Sequence, residues 1–158
     1  MATTVVRRSH FPSLLVFVAL VALGASAGAL FEPGAWYQQL IKASWNPPDW
    51  IFAPVWIVLY VGIAAAGWLV WRRTSRMVLA LQFWFAQLLL NWMWSFLFFG
   101  LHRPDLALVD IGLLLITIFA FIFTAHRRSV AASLLFVPYA LWVGFATSLN
   151  FEIWRLNG

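Results

Sequence analysis

MVLALQFWFAQLLLNWMWSFLFF, Met77 to Phe99, runs for 23 residues without a charged side chain. As a helix rising about 1.5 Å per residue it reaches about 35 Å, more than the roughly 30 Å hydrocarbon core of a bilayer. Within it Trp84, Gln87, Asn91, Trp94 or Ser95, and Phe98 recur at three- and four-residue steps, which sets them on one helical face. Amides gain little from lipid, so this face should look into a bundle or a cavity. Two roles then fit Gln87 and Asn91: hydrogen bonds that hold helices together, and contacts to a ligand.

Four further stretches lack lysine and arginine: Phe11 to Phe31, Ile51 to Trp71, Leu106 to Ala125 and Val130 to Ile153, of 21, 21, 20 and 24 residues. Each is long enough to cross a bilayer. Backbone groups in lipid must be satisfied within the chain, which leaves helices or a closed barrel, and these continuous runs lack a barrel's alternation. The expectation is an all-α integral membrane protein: a five-transmembrane-helix bundle forming one membrane domain over residues 1–158. Composition agrees, with 64% hydrophobic and 9% charged residues, far from the roughly 45–50% and 25% of soluble domains. Eleven Trp and fifteen Phe exceed what two interfacial belts need. Cysteine is absent, which removes disulfides, thiolate metal sites and cysteine nucleophiles.

The first run has two readings. Arg7 and Arg8, an apolar stretch and Ala25-Ser26-Ala27 fit a secretory signal, but the run continues to Phe31, which favours a retained span. The longest connection, Glu32 to Trp50, has 19 residues and carries Trp36, Tyr37, Trp45, Trp50 and the turn Asn46-Pro47-Pro48-Asp49. It reads either as an interfacial loop or as a lid over a cavity. With five spans, one side holds seven basic residues (Arg7, Arg8, Arg72, Arg73, Arg76, Arg127, Arg128) and the other three (Lys42, Arg103, Arg155). The positive-inside rule then predicts a cytoplasmic N-terminus and an external C-terminus. The acids Glu32, Asp49, Asp105, Asp110 and Glu152 all fall toward the outer end. The net charge of +5 comes from short clusters between apolar runs, a pattern of cytoplasmic loops rather than of nucleic-acid binding.

Counting inward from the outer ends puts Asn91 about 12 Å deep, Trp142 about 17 Å, Trp56 about 8 Å, Asp110 about 6 Å and Asn150 about 5 Å. The uncommon side chains thus gather beneath the long loop, and a site is expected in the outer half. Asp110 is an ionisable residue within a span and a functional candidate for that reason, while Arg103 and Asp105 suggest a structural salt bridge. Pro54 and Pro138 each remove a backbone donor within or near the top turn of a span. A proline inside a helix bends the axis and can open a cavity; Pro54, near a helix start, reads as an N-terminal turn. Gly24 and Gly28 form a small-residue face suited to close helix contact. His10, His102 and His126 lie in or beside loops without metal spacing, and no phosphate loop, G-x-S-x-G elbow or H-E-x-x-H occurs. The sequence therefore predicts no metal site and no enzyme in the usual sense.

Three stretches together resemble one family. They are Trp36-Tyr37 with WNPPDW and APVWxxLY (Trp45 to Tyr60), QLLLNWMW with FFG (Gln87 to Gly100) leading to ALVD (Ala107 to Asp110), and PYALWVGFATSLNFEIWR (Pro138 to Arg155). They look like the TspO/MBR family of bacterial tryptophan-rich sensory proteins and the mitochondrial translocator protein, or peripheral benzodiazepine receptor. The resemblance runs in order and spacing from the first span onward, and it implies that this span is retained.

It further implies a five-helix bundle, often a homodimer, with a pocket beneath the long loop that takes protoporphyrin IX and synthetic isoquinoline or benzodiazepine ligands, and cholesterol in mitochondrial members. Ligand-binding positions carry over to Tyr37, Trp56, Tyr60, Asn91, Trp94, Trp142, Ala146 and Leu149. The implied role is a membrane receptor or carrier for porphyrins or other flat apolar molecules, regulatory or stress-related, with protoporphyrin IX as ligand and no resident cofactor. The resemblance also suggests light-dependent porphyrin breakdown through Trp56 and Trp142; proton-coupled transport through Asp110 is a third reading, against which five spans without an internal repeat speak. Helical spans favour a bacterial inner membrane over the outer one. Two departures stand out. Phe151, between Leu149 and Arg155, replaces the tyrosine of the sterol-recognition pattern, which speaks against tight sterol binding. Ser95-Phe96 replaces the Pro-Pro pair of animal members, which predicts a straighter third helix.

Overall fold

The computed structural model describes residues 11–31 and 33–158, apart from the side chains of Phe11 and residues 27–29. Arg7, Arg8, His10 and Glu32, and the surroundings of Gly28, lie outside the described residues. The helices are α1 (Phe11–Ala29), α2 (Ala35–Gln39), α3 (Phe52–Thr74), α4 (Leu79–Ser95), α5 (Pro104–His126), α6 (Val130–Leu135) and α7 (Val137–Asn157). A 3-10 turn, Asp49–Ile51, leads into α3, and a π turn, Phe96–Gly100, continues α4. No strand occurs among the described residues. Four helical stretches are long and apolar enough to cross a membrane: Asp49–Thr74, Leu79–Gly100, Pro104–His126 and Val130–Asn157. The first run supplies a shorter apolar helix, Pro12–Ser26.

Local chemistry explains the boundaries. Pro54 falls in the first turn of α3 and Pro104 opens α5, positions where a missing N–H costs nothing. Helix α3 stops at Ser75, which is left-handed at φ 49° and donates its N–H to the Trp71 carbonyl at 2.8 Å. Arg72 and Arg73 in that last turn face the negative end of the helix dipole. The Ser129 hydroxyl caps α6 by accepting from the Ala132 N–H at 3.3 Å.

Three expectations need correction. The Val130–Ile153 run is not one helix: Pro138 has no N–H for the carbonyl four residues back, Phe136 N–H turns to the Ser133 carbonyl at 3.1 Å, and the chain restarts at Val137. This break lies near the inner end of the span, not in its top turn. The third span lacks the proline pair but does not stay α-helical to its outer end, since Phe96–Gly100 widens into a π turn. The long loop is partly helical, containing α2 and the turn at Asp49–Ile51.

α4 packs along α5, α5 along α7, and α1 against α3 and α4, while α6 wedges between α3 and α5. The inner half is filled solidly. Trp84 is 0% exposed and donates its indole N–H to the Ile63 carbonyl at 2.8 Å. Phe121 and Phe136 pack with ring centroids 3.9 Å apart. Gly24 carries out the close contact expected of it, its partner being the Trp92 indole of α4. Gly67 makes room for the other large ring: a Cβ there would stand 2.6 Å from the Trp84 indole and 2.7 Å from Phe17. Trp84 is held by its hydrogen bond and cannot swing aside. Gly67→Val should therefore destabilise the detergent-solubilised protein by at least about 1–3 kcal/mol, the range for overpacked cores. Gly112, whose Cβ position is open, should respond oppositely, Gly112→Ala gaining about 0.5–1 kcal/mol of helix stability. Thermal or denaturant unfolding of both variants checks the two signs.

Candidate functional site

In the outer half the same helices leave a cavity of about 540 Å³, within the range of small-molecule sites. Its walls come from α3 (Phe52, Ala53, Trp56, Ile57, Tyr60), α4 and the π turn (Asn91, Trp94, Ser95, Phe98, Phe99), α5 (Ile111, Leu114) and α7 (Trp142, Val143, Ala146, Leu149, Asn150, Ile153). Ala25 and Phe31 close one side, and Pro33, Tyr37, Asn46 and Asp49 of the long loop form the roof. Tyr37, Trp56, Tyr60, Asn91, Trp94, Trp142, Ala146 and Leu149, singled out in the sequence, are thus brought together around one space.

The floor of this space is polar. Tyr60 donates its hydroxyl to Asn91 Oδ1 at 3.2 Å, and Asn91 Nδ2 donates to the Tyr139 hydroxyl at 3.2 Å. Tyr139 in turn donates to Gln87 Oε1 at 3.0 Å, and Gln87 Nε2 to the Trp84 carbonyl at 2.9 Å. The chain of donors starts on α3, crosses α4 and α7, and returns to α3 through the Trp84–Ile63 bond. Both amides hold helices together, and they differ in what else they face. Gln87 is 0% exposed and purely internal, whereas Asn91 belongs to the network and also lines the cavity. Tyr139 was not singled out in the sequence. Its spacing of three from Trp142 puts it on the same face of α7, a signal that was available.

The aromatic walls are braced in pairs. Trp56 stacks on Tyr60 (5.3 Å, 30°) and Trp94 on Phe98 (5.0 Å, 20°). Trp94 Nε1 donates to Asn150 Oδ1 at 3.0 Å, and Asn150 Nδ2 to the Pro104 carbonyl at 2.8 Å, which ties three helices at the outer end. Trp142 meets Phe52 edge-on at 5.6 Å. It also lines a shallow outer groove with Pro54, Leu141 and Phe145, so it is the partition between cavity and lipid-facing surface. Its indole N–H is buried with no partner.

The roof is seated by rings. Trp36 stacks on His102 (4.3 Å, 18°), and Tyr37 meets Phe99 at 5.6 Å and Phe98 at 6.3 Å. His102 adopts φ 54° in the tight connection to α5. Burial pushes the Tyr37 phenol above its ordinary pKa and the Asp49 charge adds to this, while a hydrogen bond with Asn46 partly offsets it. Tyr37 is consequently a neutral donor at physiological pH. Lys42 lies over the Tyr37 ring at 4.1 Å. Arg103 and Asp105 form the expected salt bridge, at 2.6 Å on the surface. Asp110 is buried, with one carboxylate oxygen unpartnered, but it does not line the cavity. Among the described residues no cluster of His, Cys, Asp or Glu could hold a metal ion.

These features match known proteins along almost the whole chain. The sequence model of the TspO/MBR family matches residues 16–155. Protein CrtK of Rhodobacter capsulatus is 42% identical, covering 89% of this chain and 89% of its own length. Tryptophan-rich protein TspO of Chlorobaculum tepidum is 40% identical over 92% of this chain and 96% of its own. The human translocator protein is 36% identical over 89% and 88%. The chain is an integral membrane protein that belongs to the TspO/MBR family.

Proposed function

We propose that this protein is a membrane receptor or carrier that binds a porphyrin, of the protoporphyrin IX type, in the cavity beneath the long loop. The observation that carries the reading is the convergence of Trp56, Trp94 and Trp142 with Asn91 and Tyr60 on one 540 Å³ space. A flat macrocycle stacks on indole faces, and its polar groups find Asn91 at the floor. Propionates would lie toward the roof, near Lys42, because Arg103 is already engaged by Asp105. No histidine lines the cavity among the described residues, so free-base porphyrin fits better than haem. The names of the relatives, sensory protein and translocator protein, agree with a role in sensing or moving a ligand.

In this reading α1 completes five spans, the chain sits in a bacterial inner membrane with its N-terminus in the cytoplasm, and two copies form a homodimer. A second reading is light-dependent degradation of the bound porphyrin. It is favoured by the oxidisable pair Trp56 and Tyr60, stacked on the wall of the cavity that Trp142 also lines.

Titrating the detergent-purified protein with protoporphyrin IX should quench tryptophan fluorescence saturably. Trp142→Leu keeps apolar bulk but loses planar contact, and should weaken affinity about two- to twelve-fold with stability nearly intact. Trp71→Leu, at the inner end of α3, should leave affinity unchanged. Equal affinity of wild type and folded Trp142→Leu would take Trp142 out of the site. Cholesterol should bind more weakly than porphyrin, and Phe151→Tyr should improve it. Orientation is tested separately by a C-terminal phosphatase fusion, expected to be active outside the cytoplasm.

A further inference from the structure

The roof of the cavity is attached to the bundle at two places, and they differ in kind. On one side Trp36 and Tyr37 of α2 are packed by rings against the outer end of α4. On the other side Asn157, in the last turn of α7, holds the backbone of Ile41. The Ile41 N–H donates to Asn157 Oδ1 at 2.9 Å, and Asn157 Nδ2 donates back to the Ile41 carbonyl at 2.9 Å. A carboxamide mimics a peptide group, so it can close this two-bond ring with a single residue as a neighbouring strand would. A third bond, from Asn157 Nδ2 to the Ile153 carbonyl at 2.8 Å, fixes the amide on its own helix. Ile153 lines the cavity, and so do Asn46 and Asp49, shortly after Ile41 in the roof.

We infer that Asn157 is a positioning residue: the latch that holds the roof closed over the ligand and sets how fast a ligand enters and leaves. The inference rests on the cavity being a ligand site. The ring contacts on the α4 side are apolar and partly buried, whereas the clasp is exposed to water, which competes for both of its hydrogen bonds. It is therefore the attachment that opens first. Releasing it frees the segment from Ile41 to Asp49, the part of the roof that lies over the cavity. Asn157 does not itself line the cavity, so its loss changes the rate of access more than the affinity.

The chain provides its own reporter, because Lys42, adjacent to Ile41, is its single lysine. A lysine-specific protease can cut only there, and only when the segment lifts away from the bundle. In detergent, ligand-free Asn157→Ala should be cut about tenfold faster than wild type, as expected from losing two exposed hydrogen bonds. Asn157→Asp keeps the acceptor and loses the donor, and should fall between them; it also supplies the comparison should Asn157→Ala not fold. Trypsin cleavage of the Arg72–Arg76 connection, at the opposite end, should not change. Protoporphyrin IX should slow the cut in wild type and dissociate faster from Asn157→Ala, by a factor similar to that seen in proteolysis. Equal cleavage of wild type and a folded variant at Lys42 would overturn the latch. Faster cleavage without porphyrin binding would leave the latch standing and overturn the ligand assignment instead.

Discussion

Water does not reach the middle of a bilayer, so every N–H and O–H placed there must find its partner on the chain. The architecture turns on how Asn91 meets that constraint. Its amide accepts from Tyr60 on α3 and donates to Tyr139 on α7, and Tyr139 passes the direction on to Gln87 and the Trp84 backbone. Each member is donor to the next, so removing one leaves its neighbours unpaired at about 1–3 kcal/mol apiece. Three helices are thereby fixed in register at one depth. That depth is the cavity floor, so the amide that lines the cavity is also the group that holds the bundle.

Above and below this level the same helices behave differently, and side-chain size explains it. Below it, α3 presents Ala64, Ala66 and Gly67, small enough for Trp84 to enter and donate to the Ile63 carbonyl. Above it, α3, α4 and α7 present Trp56, Trp94 and Trp142, whose rings brace against near neighbours and leave space between them. The π turn at Phe96–Gly100 belongs to this widening. It ends beside a second, smaller core of Tyr37, Phe98, Ala107 and Ile153, where the roof joins the bundle. A closed half and an open half beneath a seated roof suit a site reached from the roof end of the bundle.

Much of this was legible in the sequence because the signals are periodic or chemical. Continuous apolar runs marked the helices, and the three- and four-residue recurrence of Trp84, Gln87, Asn91 and Phe98 marked the inward face of α4. Depth counting put Asn91 and Trp142 together before any contact was known. What stayed hidden depends on tertiary partners. Helix α2, at five residues too short to hold alone, exists because Trp36 and Tyr37 pack on the π turn and His102 beyond α4. The Asn157–Ile41 clasp joins residues 116 apart, which no local pattern reveals. Pro138 signals a break, but a run read as one rod puts it near the outer end of the span, whereas it falls between α6 and α7 near the inner end.

The abundance of tryptophan resolves into separate tasks once each indole N–H is followed. Trp84 and Trp94 donate to Ile63 and Asn150, so their rings serve structure through both faces and polar atom. Trp45, Trp50 and Trp154 are exposed near the outer ends, as interfacial anchors are. Trp92 and Trp142 share an unusual condition, a buried N–H with no partner. For Trp92 the cause is packing, because its nitrogen lies against Gly24 where no acceptor can enter. Trp142 stands on the cavity wall, but its nitrogen is shut off in the same way. An unpaired donor in an apolar environment is costly, so both rings are kept in place by packing and not by their polar atom. The ring that separates the cavity from the lipid-facing groove therefore meets both spaces with its apolar surface.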